Sequence, residues 1–140
     1  MIEIITLEHM VDGNNQELFS LIGGFAMSRQ VSEQLGNNIY SESGQIWLIA
    51  NNGNNTLGFT SLLIQKNKKV RMFNLYTTNN ADNELKRQLV NGVIDIAKEN
   101  GCLDVHCIDY NTDANFYQSL GFASSGKRGK NFTLFVKEIV

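Results

Sequence analysis

The 140-residue chain contains no proline, so its turns must be made by Gly, Asn and Asp. Cysteine is scarce. Cys102 and Cys107 have a spacing that suits neither a zinc ribbon nor a CxxC redox pair. On an extended strand they fall at opposite parity, which argues against a mutual disulfide. Two buried free thiols in a reducing cytosol are expected. No apolar run approaches the roughly 20 residues of a membrane span. Met1-Ile2-Glu3-Ile4 lacks the basic region and apolar run of a signal peptide, so a cytoplasmic protein is expected. Charge of one sign is also lacking: 12 Lys and Arg face 14 Asp and Glu, a net charge of −2. That leaves no field to draw in nucleic acid or an anionic membrane, and basic and aromatic residues do not interleave. The basic clusters Lys66–Arg71 and Lys127–Lys130 sit where hairpin turns are expected and read as solvated.

Hydrophobic residues make up 42% and charged residues 19%, a balance that suits one globular domain over 1–140. Ile2 to Leu7 reads as a first strand. Gly13-Asn14-Asn15 is a turn, after which Leu18, Phe19, Leu21, Ile22 and Phe25 repeat with helical period. Gly23-Gly24 within that helix marks either a close backbone approach or a break. Val31 to Leu35 is a second helical turn, stopped by Gly36-Asn37-Asn38. Ile46–Ala50, Leu57–Gln65 and Val70–Thr77 form an antiparallel meander through the Asn-rich loop at 51–55 and a turn at Asn67-Lys68-Lys69.

The longest helix opens with Asp82 and Glu84 in its first turn, where the helix dipole favours acid. Leu85, Leu89, Val93, Ile96 and Ala97 form its apolar face, and Asn100-Gly101 ends it. Leu103–Ile108 is a strand with Leu103, Val105 and Cys107 on one face. Phe122–Ser124 and Phe132–Ile139 are the last strands. The order is β-α-α-β-β-β-α-β-α-β-β. The strands either side of the long helix should be parallel.

Asn111 to Phe122 is the most informative stretch. Asn111-Thr112-Asp113 looks like a helix start whose side chains accept from free N–H groups. Phe116, Tyr117 and Leu120 follow at helical spacing, and Gly121 supplies a left-handed stop before Phe122. A Phe-Tyr-Leu stripe also fits plain core packing. Together with Leu57-Gly58-Phe59 and the helix end Ala97–Gly101, in this order and spacing, the stretch resembles the GNAT family of N-acetyltransferases.

The resemblance implies a GNAT acyl-CoA N-acyltransferase fold of the α/β (α+β) class: a mixed, mostly antiparallel sheet, flanked by helices, with splayed central strands. It implies transfer of an acyl group from acetyl-CoA, or another acyl-CoA, to an amine of a small molecule or protein, with a homodimer as one assembly. It casts Tyr117 as general acid. It places the thioester near the backbone of Leu75, Tyr76 and Thr77, and gives Asn111 or Asn115 a role beside the pantetheine. The family spaces that asparagine one residue further from the Phe-Tyr pair.

The family's pyrophosphate loop, Gln/Arg-x-x-Gly-x-Gly/Ala, falls on Ala81-Asp82-Asn83-Glu84-Leu85-Lys86. Leu85 suits the apolar position, whereas Ala81, Glu84 and Lys86 depart from the pattern. Two carboxylates stand where a di-anion should rest. Three readings follow. Lys86 and Arg87 supply a side-chain phosphate site; or Asn79-Asn80 forms the N–H nest in a shifted loop; or the fold persists without coenzyme A binding, as a non-catalytic binding module.

For the base that deprotonates the acceptor, His106 has a suitable intrinsic pKa and shares a strand face with Asp104. Both also fit a merely polar strand face. Glu42, in the irregular segment before Ile46, is a second candidate. His9 reads as surface and Trp47 as core.

Overall fold

Alternation in the first hairpin explains why the sheet is covered on both sides. In β2 (Ile46–Asn51), Trp47 and Ile49 pack under the two N-terminal helices, while Leu48 and Ala50 pack under the long helix. A strand buried on both faces lies inside a two-sided sandwich of helices around one sheet. The computed structural model describes residues 2–10, 15–36, 38–53, 55–79 and 82–139. The expected turn at Gly13-Asn14, the stop at Asn37, the loop position Asn54, and Asn80 and Ala81 of the cofactor loop lie outside the described residues.

The elements are β1 (Glu3–Glu8), α1 (Gln16–Ala26), α2 (Arg29–Leu35), β2, β3 (Thr56–Ile64), β4 (Lys69–Thr77), α3 (Asn83–Glu99), β5 (Asp104–Tyr110), a 3₁₀ turn (Asn111–Asp113), α4 (Ala114–Ser119), β6 (Ala123–Lys127) and β7 (Phe132–Glu138). They form one seven-stranded sheet in the order β1-β2-β3-β4-β5-β7-β6. Among the described residues only β4 and β5 pair in parallel; the other neighbours are antiparallel. The expected mixed, mostly antiparallel sheet is thus observed.

Helix α3 buries Leu85, Leu89, Val90, Val93, Ile94 and Ala97 against the sheet. At about 1.5–3 kcal/mol for each large side chain, this outweighs the roughly 1 kcal/mol that Gly92 costs the helix. A Cβ at Gly92 would run into the Leu48 side chain, so the glycine permits the close approach. The second core lies under α1 and α2, with Leu18, Ile22, Val31, Trp47, Phe59 and Tyr76.

Three local expectations are corrected. Gly23-Gly24 neither breaks α1 nor touches a neighbour, because a Cβ at either meets open space. The break comes at Met27-Ser28, where the Ser28 hydroxyl caps α2 by accepting from Val31 N at 3.3 Å. Asn111-Thr112-Asp113 forms the 3₁₀ turn, and α4 starts without a side-chain cap. The Asn111 amide goes elsewhere, donating to Lys130 O at 3.0 Å and accepting from Thr133 Oγ1 at 2.5 Å. His9 is half-buried rather than superficial: its Nδ1 lies 2.7 Å from Ser41 Oγ, which also accepts from Trp47 Nε1.

Leu57-Gly58-Phe59 has a steric reason. A Cβ on Gly58 would stand 2.7 Å from the carbonyl oxygen of Tyr76 and 3.0 Å from Thr77 Cγ2. Backbone cannot swing aside as a long side chain can. Gly58→Ala is expected to cost about 1–3 kcal/mol by forcing β3 and β4 apart. Urea unfolding checks this; a loss below about 0.5 kcal/mol would show that the sheet yields there without cost.

Candidate active site

Strands β4 and β5 pair only through Lys69↔Asp104, Val70↔Val105 and Arg71↔His106, and then diverge. The divergence coincides with a bulge. Ser61 faces Phe73 and Phe59 faces Tyr76, so Asn74 and Leu75 of β4 together oppose Thr60 of β3. Asn74 adopts φ 65°, a left-handed conformation that Asn tolerates better than most residues. A buried polar network holds it. Ser61 Oγ donates to Phe73 O at 2.9 Å and accepts from Gln45 Nε2 at 2.9 Å and Asn74 Nδ2 at 3.4 Å. Because side chains alternate with a period of two, the extra residue reverses facing along β4. Val70 and Met72 pack toward α3 ahead of the bulge; after it Leu75 does so, and Tyr76 joins the core under α1.

Leu75 therefore meets Tyr117 across the gap. Both line a narrow cleft of about 50 Å³ with Lys86, Asp109 and Asp113. Tyr117 is held from all sides. Helix α4 ends with Phe122 N donating to Tyr117 O and Gly121 N donating to Gln118 O, both at 3.0 Å. This Schellman closure needs the left-handed Gly121, at φ 90°. The Tyr117 ring stacks on Phe135 at 4.6 Å and meets the edge of Phe122 at 5.4 Å. Its hydroxyl donates to Asp109 Oδ2 at 2.6 Å.

The surroundings set the proton affinities of this group. Burial first, then the adjoining Cys107 and Asp109, raise Tyr117 well above its ordinary value of 10.0. Burial pushes the Cys107 thiol up as well. Asp109 rises from 3.8 to about 6, chiefly through burial and then the charge of Asp113, while the bond from Tyr117 opposes the rise. Between about pH 4 and 6 the folded chain thus holds a proton that the unfolded chain has released. Stability contributed by protonated Asp109 is lost as pH rises through 6. Asp109→Asn removes that loss and keeps an acceptor for Tyr117. The variant is expected to gain on the order of 2 kcal/mol relative to the parent between pH 4 and pH 8. Melting curves at the two pH values test this; a constant difference would place the titration elsewhere.

At the start of α3, Asp82 Oδ1 accepts from Leu85 N at 3.0 Å, and Asp82 N donates to Asn79 O at 2.9 Å. The protein's own carboxylate thus occupies one of the free amides of the helix terminus. Arg87 is turned aside, 3.0 Å from Glu84. Lys86, one residue earlier, lies on the cleft wall.

A second cavity, of about 310 Å³, opens on the face of the sheet that carries Arg71, Phe73 and His106. Arg71 and Phe73 of β4 and His106 of β5 line it, together with Arg128 and Phe132 of the β6–β7 hairpin. A constriction of about 30 Å³ between Phe73, Leu75, Cys107 and Tyr117 lies between the two chambers and shares lining residues with each. His106 Nδ1 lies 3.6 Å from Asp104 Oδ1.

The acetyltransferase (GNAT) family model matches residues 16–122. The chain belongs to that family. An acyl-CoA N-acyltransferase from Pseudomonas aeruginosa superposes with a TM-score of 0.75 at 15% identity, over 98% of this chain and 99% of that one. ElaA from Escherichia coli gives 0.74 at 14% identity, over 99% and 100%. The aminoglycoside 6'-N-acetyltransferase from Enterococcus faecium gives 0.68 at 16%, over 97% of each chain. At these identities the likeness shows the GNAT fold. No curated protein matches the sequence.

On the GNAT fold the residues singled out in the sequence divide into three groups. Tyr117, Leu75 and Lys86 meet in the cleft. His106 faces the other chamber, on the opposite face of β5 from Asp109, which lines the cleft. The remainder serve the scaffold or the surface. Tyr76 and Leu85 are core, Thr77 Oγ1 donates to Asn79 O, Arg87 pairs with Glu84, Asn111 ties down the hairpin, and Asn115 and Glu42 are exposed. Asp109 and Asp113 were not foreseen. The signal was parity: Asp109 follows Cys107 by two residues, on the strand face that meets Tyr117.

Among the described residues no helix is long and apolar enough to cross a membrane.

Proposed function

We propose that the protein is an N-acyltransferase that joins an acyl group from acetyl-CoA to a primary amine. The observation that carries this is the bulged, splayed gap between β4 and β5 with Tyr117 fixed at its edge. Coenzyme A supplies the activated thioester. The amine nitrogen forms the new bond to the acyl carbon as the carbon–sulfur bond breaks, leaving an amide and a free thiol. The proton released by the ammonium goes through His106 to solvent.

Tyr117 Oη serves the sulfur. A thiol normally titrates near 8.5, well below this buried phenol. Tyr117 therefore donates a hydrogen bond to the developing thiolate, and solvent completes the protonation. Asp109 holds the hydroxyl in the resting site. Base and donor stand on opposite faces of the sheet, which lets the amine approach from one side of the gap and the sulfur depart on the other.

A thioester would lie in the gap beside Leu75 and Tyr117, between Lys86 on the cleft wall and His106 in the adjoining chamber. At the phosphate end, Lys86 is the cation on the cleft wall, in place of the backbone seat that Asp82 occupies. That same capping by Asp82 favours a second reading, a GNAT-fold binding module with weakened cofactor affinity. Titration calorimetry with acetyl-CoA, followed by thiol release with a panel of amines, separates the two. Binding with turnover supports the enzyme. A folded protein that shows no heat at millimolar acetyl-CoA rules it out in favour of the module.

A further inference from the structure

The chain has four arginines, and they divide evenly. Arg29 lies 3.1 Å from Glu33 and Arg87 lies 3.0 Å from Glu84, each on a helix surface. Arg71 and Arg128 have no carboxylate partner among the described residues. Those two line the same cavity. They come from the two basic clusters that read as solvated turns in the sequence, and the fold brings one arginine of each cluster to one chamber. Both side chains are exposed, as a solvated reading expects, and both face that chamber.

Among the described residues the walls of this chamber include Arg71, Arg128 and His106 and no carboxylate, although the chain as a whole carries a net charge of −2. Asp104 sits beside Lys69 and His106, and Glu33, on the adjoining open groove, pairs with Arg29. The Arg71 guanidinium lies 5.1 Å from the Phe73 ring centre, which limits its freedom without neutralising it. Arg128 spends one N–H on Lys127 O at 3.2 Å. Most of the donors of both forks remain for a ligand. Phe73, Ile108 and Phe132 supply the apolar part of the wall.

We infer that the acceptor is a small primary amine that also carries a carboxylate, which Arg71 and Arg128 bind while the amine reaches the gap beside His106. The cavity's volume, about 310 Å³, is at the lower end of small-molecule sites, which favours an amino-acid-sized compound over a protein surface. Paired guanidinium groups are the side chains best suited to a carboxylate. The apolar wall suits an aliphatic or aromatic body between the two polar ends. The inference rests on the acyl-transfer reading of the gap, because it is that reading that makes this chamber the acceptor side.

The test uses matched pairs: phenylalanine, leucine and 4-aminobutyrate, each against its carboxamide, plus an acidic peptide. With acetyl-CoA present, at least one carboxylate should exceed its amide in kcat/KM by about tenfold or more. In Arg71→Gln and Arg128→Gln, checked for folding by melting temperature, that preference should vanish. Equal use of acids and amides, preference for the peptide, or a preference that survives both variants would overturn the inference. A second arm needs no turnover. N-acetylphenylalanine should bind the parent protein more tightly than N-acetylphenylalaninamide by calorimetry, and lose that advantage in the variants. If acetyl-CoA does not bind while this difference remains, the acyltransferase reading fails and the anion site stands. If neither compound binds at millimolar concentration, the anion site is refuted.

Discussion

Tyr117→Phe is expected to lower kcat about 100-fold while leaving acetyl-CoA affinity within about twofold. The substitution removes one oxygen and keeps the ring, so the stack on Phe135 and the edge contact with Phe122 persist. What is lost is the hydroxyl proposed to donate to the sulfur. The loss also leaves Asp109 Oδ2 without its 2.6 Å partner, which is a stability effect in its own right. The double variant Asp109→Asn/Tyr117→Phe separates the two. If the lost donor causes the defect, the double variant stays as slow as the single one although its melting temperature recovers. Activity restored with stability would assign Tyr117 a packing role. A kcat within threefold of the parent would remove it from the chemistry altogether.

Asp82→Asn should tighten acetyl-CoA binding about tenfold. Two unit charges 4 Å apart interact by about 4 kcal/mol at an effective dielectric of 20, and solvent at an open loop reduces this to about 1–2 kcal/mol. A pyrophosphate approaching α3 meets the Asp82 carboxylate on the Leu85 amide. Asn is as good a helix cap as Asp, so the substitution deletes the charge and leaves the helix start intact. Calorimetry at two ionic strengths checks the cause. The gain should shrink with salt, as a charge effect must, and unchanged affinity at low salt would mean that the phosphates never come near this helix.

The order of elements was legible because alternation in β2 and β3 and the apolar face of α3 are strong local patterns. Tyr117 was legible for a related reason, since Gly121 and Phe122 close the helix on which it sits. The bulge was not. It depends on the left-handed Asn74 and on Gln45 and Ser61, which lie 29 and 13 positions away and reach it only in the folded sheet. Asp109 stayed hidden because β5 reads as ending at Ile108, whereas pairing with β7 carries it to Tyr110↔Phe132. The arginine pair was hidden for the same physical reason. Arg71 and Arg128 belong to different hairpins, and no periodicity links them. Lys86 and Arg87 look equivalent in sequence; the helix rotation between neighbouring residues sends one to the cleft and the other to Glu84.

The reversal of β4 at Asn74 has a consequence for how such a site can change over generations. Side chains of one short strand serve two chambers: Arg71 and Phe73 face one, and Leu75 faces the other. Substitutions at the first two positions can redraw the larger chamber without disturbing Leu75, and the converse holds. One added backbone residue thus uncouples two sets of mutations that a regular strand would tie together, so the lining of one chamber can change while that of the other stays the same.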